Sequence, residues 1–403
     1  MSAPLSPLFE AAAARLADGG NRPEAAAAFA RLLATGLPTR RDEDWRYLQL
    51  APLAALAPVA GGEEPLPALP DLLDGELRFV FVDGRLDANL STPESAWAAW
   101  RNDGAVAPLT AFGELAAAIA PAAFGLALPA GLQFAGPLHL LFLHTRSGAT
   151  LSGATFALSL GRGAEATLVE SHLSSEGAGG LATVALDLTL ADGASLTHVK
   201  FQELGHSLSH LADTRITSGR DARYKSVSLT GGALLSRDTL AVTVNGTGAH
   251  TELQALFLPG EGQTHDHHTA LDQRQPDCTA RQVYKSILRG NGHAIFNGKV
   301  FVRQAAQRTN ADQSSKSLLL DKRCRVDAKP QLEIFADDVR CTHGATVGQL
   351  DKAELFYLMS RAIPRQRAEE LLLHGFAVDV LDELGHPALL ERGLALLTRF
   401  SEA

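Results

Sequence analysis

The chain of 403 residues is poor in cysteine and lacks long apolar runs. Its three cysteines, Cys278, Cys324 and Cys341, are too few for a disulfide framework, so we expect a reducing compartment, the cytoplasm. Apolar runs such as LRFVFV from Leu77 are far shorter than the roughly 20 residues of a membrane span. The N-terminal segment has no basic residue before Arg15 and is typical of an amphipathic helix, not of a signal peptide. We therefore expect no membrane insertion.

Basic runs and nucleotide motifs are also absent. The formal net charge is −9 and no basic run exceeds the pair Arg40 and Arg41, which argues against nucleic acid as the main partner. The segment GHAIFNGK at 292–299 has one residue too many between its glycines for a phosphate loop, and Val300 replaces the magnesium-binding hydroxyl. No GxSxG elbow is present, so the sequence supports neither a nucleotide site nor a serine hydrolase.

The chain divides into four segments by composition and periodicity. Alanine and leucine recur at helical spacing at the start and at the end of the chain, whereas period-two alternation dominates from about Leu138. A proline-rich connector from Pro58 ends the first helical region. We predict an N-terminal helical domain, a mixed α/β connecting region, a strand-rich core and a C-terminal helical domain, at 1–75, 76–137, 138–349 and 350–403.

The strand-rich core contains a weak internal repeat. Turns of a small or acidic residue followed by alanine recur at strides of 30, 28 and 27 residues, each leading into a strand. The repeat cannot be followed in the sequence beyond Asp277. The four turns are Gly163-Ala164, Gly193-Ala194, Asp221-Ala222 and Gly248-Ala249.

A period of this length without an internal helix is too short for helical crossovers and too regular for a Greek key. It favours a solenoid whose turns stack and bury a shared core. We therefore predict a mainly β fold, a parallel β-helix flanked by N-terminal and C-terminal α-helical domains, with a sandwich or barrel as the alternative. We also expect the helical domains to cap the ends of the solenoid.

The segment THDHH is the densest cluster of possible metal ligands. His265 and His267 would share one face of a strand, with His268, Asp272 and Cys278 nearby. No HExxH or CxxC spacing accompanies them, and histidines in a polar loop are often only solvated. We therefore favour a solvated loop and keep the cluster as a secondary candidate.

Cys341 and His343 form the more specific candidate. They lie two residues apart at the end of the strand-rich core, so both side chains would project from one face of a strand. Thiolate and imidazole both suit iron, although a closed metal site needs more ligands than these. Gly344 would allow close approach of another backbone. The pattern predicts a metal or partner site completed elsewhere in the chain or by another protein, whereas a buried structural thiol is the alternative for Cys341.

Long stretches of the chain resemble the SufB and SufD family of iron–sulfur cluster assembly proteins. The resemblance covers most of the chain and is strongest in the C-terminal block. Within the family it is closest to SufD, because cysteines are few and a short motif carries Trp45. The matching stretches are PQLEIFADDVRCTHGATVG from Pro330, ELFYLMSRAIPRQRAEELLLHGF ending at Phe376, RDEDWRYLQL from Arg41, CTARQVYKSILRG from Cys278 and FNGKVFVRQAAQRTNADQSSKSLLL from Phe296.

This resemblance implies a right-handed parallel β-helix and a non-enzymatic scaffold subunit. The implied partners are a SufB-like paralogue and a SufC-like ATPase, and indirectly a cysteine desulfurase and a sulfur-transfer protein. A transient iron–sulfur cluster or iron is implied at the interface with SufB. The chain itself would bind no nucleotide, and flavin binding and a homodimer of the isolated chain stay open.

The resemblance also assigns roles to particular residues. His343 matches the family histidine implicated in forming the nascent cluster, and Cys341 matches a cysteine common in SufD members. The surface implied for the ATPase lies in the C-terminal helical region, with Glu354, Phe356, Tyr357, Ser360, Arg361 and Phe376 as candidates.

Two rival functions remain open at this stage. A β-helix enzyme acting on carbohydrate would need a groove lined by residues such as Asp266, Asp272 and Lys285, and would be active without an ATPase. A homodimeric store of iron would hold metal in the chain alone.

Overall fold

The computed structural model describes residues 6–18, 22–59 and 61–402, so residues 1–5, 19–21 and 60 of the predicted N-terminal helical domain lie outside it. The helices are α1 Pro7–Asp18, α2 Pro23–Thr35, α3 Ala51–Ala54, α4 Ala111–Ile119, α5 Lys352–Ser360, α6 Arg365–Leu381 and α7 Pro387–Glu402. Short 3-10 turns lie at Glu43–Trp45, Glu94–Ala96, Ala98–Trp100 and Asp382–Leu384.

Nineteen strands make up the middle of the molecule as described. They are β1 Leu77–Val82, β2 Arg85–Leu86, β3 Arg101–Asn102, β4 Ala123–Leu128, β5 Gln133–His144, β6 Thr150–Leu160, β7 Glu165–Ser174, β8 Gly180–Leu190, β9 Ser195–Leu204, β10 Leu208–Ser218, β11 Arg223–Gly232, β12 Leu235–Val244, β13 His250–Leu258, β14 Thr264–Gln273, β15 Thr279–Leu288, β16 His293–Val302, β17 Asn310–Leu319, β18 Arg325–Ile334 and β19 Arg340–Gln349.

The strands form a parallel β-solenoid of about eight turns. From β4 onward the chain alternates between two sheets, so even-numbered strands stack in one sheet and odd-numbered strands in the other. Successive turns pair in parallel and in register. For example, Ala280 pairs with Ala311 on the next turn, and Ala311 pairs with Cys341 on the turn after that. The predicted parallel β-helix is confirmed, and the sandwich or barrel alternative is wrong. The ten-stranded sheet begins before residue 138, because β1 pairs in parallel with β5. The limits of the four predicted domains stay a prediction.

The turns that lead into the odd-numbered strands from β7 to β17 enter the ten-stranded sheet through the same corner. The corner residue has a left-handed backbone, and the next residue is small and buried because it packs into the turn. The repeat continues past Asp277, where Cys278 and then Thr309 take the buried position held earlier by alanine. The left-handed corners are Gly163, Gly193, Asp221, Gly248, Asp277 and Arg308, with φ of 64°, 68°, 54°, 72°, 62° and 58°.

The helices cover the sides of the solenoid, not its ends. The N-terminal helices and α4 pack on the outer face of the nine-stranded sheet, where Leu151, Leu181 and Leu211 meet Phe112 and Leu115. In the same way α6 and α7 pack on the outer face of the ten-stranded sheet. The N-terminal end of the solenoid is closed by antiparallel β2 and β3 and by the segment carrying Trp97. The expectation that helical domains cap both ends is therefore wrong.

Arg237, on the solenoid, binds the N-terminal segment that carries Asp44 and Trp45. Its guanidinium lies 3.7 Å from the centroid of the Trp45 ring, donates to the Asp44 carbonyl at 2.7 Å and pairs with Asp266 at 2.8 Å. The side chain is buried on strand β12, so a planar cation satisfies an aromatic face, a carbonyl and a carboxylate together. This contact explains the structural role of the tryptophan-bearing segment.

The histidines of THDHH are buried on strand β14, so the prediction of a solvated loop is wrong. His265 bonds to the carbonyl of Gly232 at 2.6 Å, and burial lowers its pKa to about 3. The ring of His267 lies 4.5 Å from that of Phe257, and burial lowers its pKa to about 4. These rings are therefore neutral packing elements of the solenoid.

The interior also holds a network of charged side chains. Lys200 lies 3.0 Å from Asp238 and 3.4 Å from Glu170, and Glu170 bonds to His172 and His198 at 2.5 and 2.9 Å. Burial acts to raise the pKa of Glu170, but Lys200 and the two imidazoles outweigh burial and hold it well below its usual range. For Lys200 the two carboxylates likewise outweigh burial and raise its pKa. Glu170 and Lys200 thus carry opposite charges that compensate each other.

We predict that Lys200→Met destabilises the solenoid by about 3–5 kcal/mol, because Glu170 and Asp238 then lose their buried counter-charge. The control is Lys299→Met, since the ion pair of Lys299 with Asp44 at 2.6 Å is partly exposed and is expected to contribute at most about 1 kcal/mol. Thermal unfolding by calorimetry compares the two variants. A wild-type midpoint for Lys200→Met would contradict the importance of the network.

Candidate functional site

The C-terminal end of the solenoid is an open edge. Strand β19 has one neighbour, β17, in the ten-stranded sheet, and β18 is likewise the last strand of the nine-stranded sheet. Apolar side chains at this end are exposed, with Ile334, Phe335 and Val347 at 41%, 56% and 53% of their full accessibility. Edge strands offer unpaired amides and carbonyls to another chain, so natural proteins usually shorten or cover them. Two long uncovered edges with apolar side chains indicate a partner surface.

Strand β19 extends the side-chain columns of the strands before it. Cys341 follows Ala311, His343 follows Gln313, Ala345 follows Ser315 and Val347 follows Ser317. Since side chains alternate along a strand, these four residues of β19 point toward the solenoid axis. The same pleat turns the intervening residues of β19 outward.

Two glycines interrupt β19 where this chain does not require them. A Cβ at Gly344 or Gly348 would meet nothing within 4 Å, and neither glycine has a left-handed backbone. Glycine weakens a strand and often marks close approach of another backbone. These glycines therefore add to the indication that a second chain meets this edge.

Cys341 and His343 share one face of β19 but differ in exposure. His343 is exposed at the open end, whereas Cys341 is half-buried against the core of the solenoid. Burial raises the pKa of the Cys341 thiol, and the Ala311 amide opposes this only partly. The thiol is therefore protonated near neutral pH and must lose that proton before it can bind a metal. The ring of His343 is exposed at the open end.

The pair does not complete a metal site in this chain. Among the residues that the structure describes, no group of three or more His, Cys, Asp or Glu side chains could hold a metal ion. Thiol and imidazole nevertheless suit iron, so the chemistry of the two side chains fits part of a ligand set. Any further ligands must approach from beyond the open edge.

The predicted ATPase-binding residues fall into two settings. Glu354, Phe356, Tyr357 and Ser360 lie exposed on α5 and Arg361 directly follows it, with Phe356 and Tyr357 at 73% and 58% of full accessibility. No residue of α5 is buried, and the Asp351 carboxylate caps its first turn through the amides of Ala353 and Glu354.

Phe376 lies apart from these five residues, on α6. It is half-buried against the solenoid, and its carbonyl accepts a bond from Lys285 at 2.7 Å. As a partner contact Phe376 remains a prediction, but its observed contact is with this chain.

The groove required by the carbohydrate-active alternative is not assembled by its residues. Asp266 and Asp272 belong to β14 in the nine-stranded sheet, whereas Lys285 belongs to β15 in the other sheet. Asp266 is tied to Arg237, Asp272 pairs with Arg274 and Arg303, and Lys285 pairs with Asp379. These side chains therefore serve separate ion pairs.

The sequence reasoning missed the polar residues beneath His343. Gln313 and Gln282 point into the solenoid in the same column as His343, and both are buried. Continuing the repeat past Asp277 would have revealed them, because residues a turn apart then fall into one column.

No helix of the described chain is both long and apolar enough to cross a membrane.

Comparison with known proteins gives one family. The family described as "SUF system FeS cluster assembly, SufBD core domain" matches residues 142–376, a range that includes β19 and α5. The chain is 34% identical over 397 residues to "Iron-sulfur cluster assembly protein SufD" of Escherichia coli, covering 94% of this chain and 93% of the relative.

Two further relatives are similar over most of this chain. An iron–sulfur cluster assembly SufBD family protein of Synechocystis sp. is 30% identical over 388 residues, covering 86% of this chain and 84% of the relative. "Protein ABCI7, chloroplastic" of Arabidopsis thaliana is 29% identical over 272 residues, covering 66% and 57%.

We predict that the alkylation rate of Cys341 rises with pH along a curve whose midpoint lies above that of the same cysteine in the unfolded chain. The reason is that partial burial raises the pKa of the thiol and only the thiolate reacts. Iodoacetamide labelling from pH 6 to pH 11, followed by peptide mass spectrometry, gives both curves. A midpoint at or below that of the urea-unfolded chain would show that the folded site stabilises the thiolate.

Proposed function

The chain belongs to the SufBD family of iron–sulfur cluster assembly proteins and is most like SufD, and on this basis we propose that it is a non-catalytic scaffold subunit. It pairs with a SufB-like paralogue and binds a SufC-like ATPase, while a cysteine desulfurase and a sulfur-transfer protein supply sulfur indirectly. Nascent iron–sulfur clusters are its cargo, built at the interface with the paralogue. Cys278, Cys324 and Cys341 form no disulfide in the structure, which fits a protein that acts in the reducing cytoplasm.

The observation that carries this proposal is the exposure of His343 on a terminal strand that has one free edge. A ligand that serves only this chain would be enclosed by its own side chains, whereas His343 faces the open end with Cys341 as its one thiol neighbour on the strand. The missing ligands would come from the paralogue. Incomplete ligation by either chain alone also suits a cluster that must be passed on.

Pairing with a paralogue of the same fold satisfies the open edge. A partner with its own terminal strands could continue the hydrogen bonding of β18 and β19, as in strand addition at a sheet edge. The exposed apolar residues Ile334, Phe335 and Val347 would then be buried, and Gly344 and Gly348 would admit the partner backbone. A second copy of this chain offers the same strands, so a homodimer of the isolated chain is a lesser alternative.

The ATPase would bind at α5, where exposed Phe356 and Tyr357 supply aromatic anchors of the kind that dominate protein interfaces. Only Leu350 and Asp351 separate the end of β19 from the start of α5. A partner that moves α5 would therefore pull on the strand that carries His343. Such coupling requires that the ATPase contact α5 differently in its two nucleotide states.

We predict that His343→Ala lowers the iron and sulfide retained by the assembled complex at least about tenfold, because replacement even of outer residues around a metal typically costs that much affinity. The variant should fold and assemble normally, since the side chain is exposed. The matched control is His250→Ala, an exposed histidine on β13 that is separated from β19 by two strands of the same sheet.

The measurement is iron and sulfide content after anaerobic reconstitution of the complex with the paralogue and the ATPase. Subunit stoichiometry by native mass spectrometry establishes that each variant has assembled. Wild-type iron content in an assembled His343→Ala complex would remove His343 from the proposal.

A further inference from the structure

Gln313 lies directly beneath His343 in the interior of the solenoid. The two residues are register partners on neighbouring strands β17 and β19, and both side chains point toward the axis. Gln313 is 1% exposed, yet neither atom of its amide has a hydrogen-bond partner among the described residues. Buried amides nearly always have partners, so this unsatisfied pair of atoms needs an explanation.

The turn below shows how such an amide is satisfied. Gln282 precedes Gln313 in the column, and its side-chain oxygen accepts a hydrogen bond from Thr269 on the facing strand at 2.7 Å. One turn further on, Gly298 occupies the position of Thr269, and a Cβ there would lie 2.1 Å from the Gln313 amide nitrogen. The glycine makes room for the amide of Gln313 but offers it no side-chain partner.

One turn beyond Gly298, the facing position is Pro330, the register partner of Gly298 on β18. Proline has no amide hydrogen and no polar side chain. His343 therefore has no side-chain partner across the solenoid at its own level, and Gln313 has none at its level. In its own column His343 has Gln313 as its polar neighbour, and Gln313 lies between His343 and Gln282, with neighbouring strands about 4.8 Å apart.

We propose that Gln313 is a positioning residue for His343: its amide oxygen accepts a hydrogen bond from one ring N–H and thereby directs the other ring nitrogen toward the open edge. The Gln313 amide nitrogen then donates to the oxygen of Gln282, which already accepts from Thr269. All the polar groups in this column except the Gln282 nitrogen are satisfied by this arrangement. The inference rests on the proposed role of His343 as a cluster ligand.

The consequence for metal binding follows from histidine chemistry. A neutral imidazole carries its proton on either nitrogen, and only the unprotonated nitrogen can bind iron. Histidines that bind metals usually donate their other ring N–H to a fixed oxygen, which selects the tautomer and orients the ring. An exposed histidine without such a partner would exchange tautomers and rotate freely, so the Gln313 oxygen would prepare the ring before iron arrives.

The test compares Gln313→Leu, which removes the amide, with Gln313→Glu, which keeps an acceptor oxygen. The matched control is Gln273→Leu, because Gln273 is equally buried and both its amide atoms are also unsatisfied, but its register partners are Val244 and Val302. The first readout is the tautomer of His343, from the two ring ¹⁵N shifts in the full chain labelled at histidine. The second is iron retained after anaerobic reconstitution of the complex.

We expect Gln313→Leu to shift the ring ¹⁵N signals of His343 to those of an unconstrained histidine and to weaken iron retention about tenfold. Gln313→Glu and Gln273→Leu should preserve the wild-type tautomer. An unchanged tautomer in Gln313→Leu, or the same change in Gln273→Leu, would overturn the inference.

The variant His343→Ala distinguishes failure of His343 as a cluster ligand from failure of Gln313 as its positioning residue. If that variant retains iron, the assignment of His343 as a ligand fails, whatever the ring signals show. If it loses iron but Gln313→Leu leaves the tautomer unchanged, only the positioning role of Gln313 fails.

Discussion

In a parallel solenoid each strand is hydrogen-bonded to the turn before it and the turn after it, so the last turn necessarily lacks a partner. The helices of this chain pack on the sides of the solenoid, and only its N-terminal end is closed, by antiparallel β2 and β3. Strands β18 and β19 therefore keep free backbone groups. Both the exposure of His343 and the incompleteness of its ligand set follow from this uncovered end.

The position of His343 depends equally on register, because a slip of one residue would turn every side chain of β19 to the opposite face. The buried ion pairs of Lys200 with Glu170 and Asp238 fit one alignment of their turns, since each charge needs its counter-charge at bonding distance. The corners with left-handed backbone repeat the same turn at the entry to each odd-numbered strand from β7 to β17. Features far from the edge thus determine which side chains β19 presents there.

The sequence was informative wherever a residue type was tied to one conformation. Glycine or aspartate before alanine marked four corners and so the solenoid, but the signal faded at Cys278 and Thr309, which fill the same buried position with different chemistry. THDHH was misjudged because a buried polar face resembles a solvated loop when its partners are unknown. Cys341 and His343 were recognised as a pair, whereas their unequal exposure depends on which strand comes last, and that requires the assembled fold.

The central claim, that the open end is half of a site completed by a second protein, is tested most directly by amide hydrogen exchange. Exchange is measured for residues 340–349 and 352–361 in the chain alone, with the SufB-like paralogue, and with the ATPase added. The account predicts slow exchange of β19 once the paralogue binds and of α5 once the ATPase binds, with the inner strands unchanged. Exchange of β19 that stays equally fast in a fully formed complex would contradict the claim.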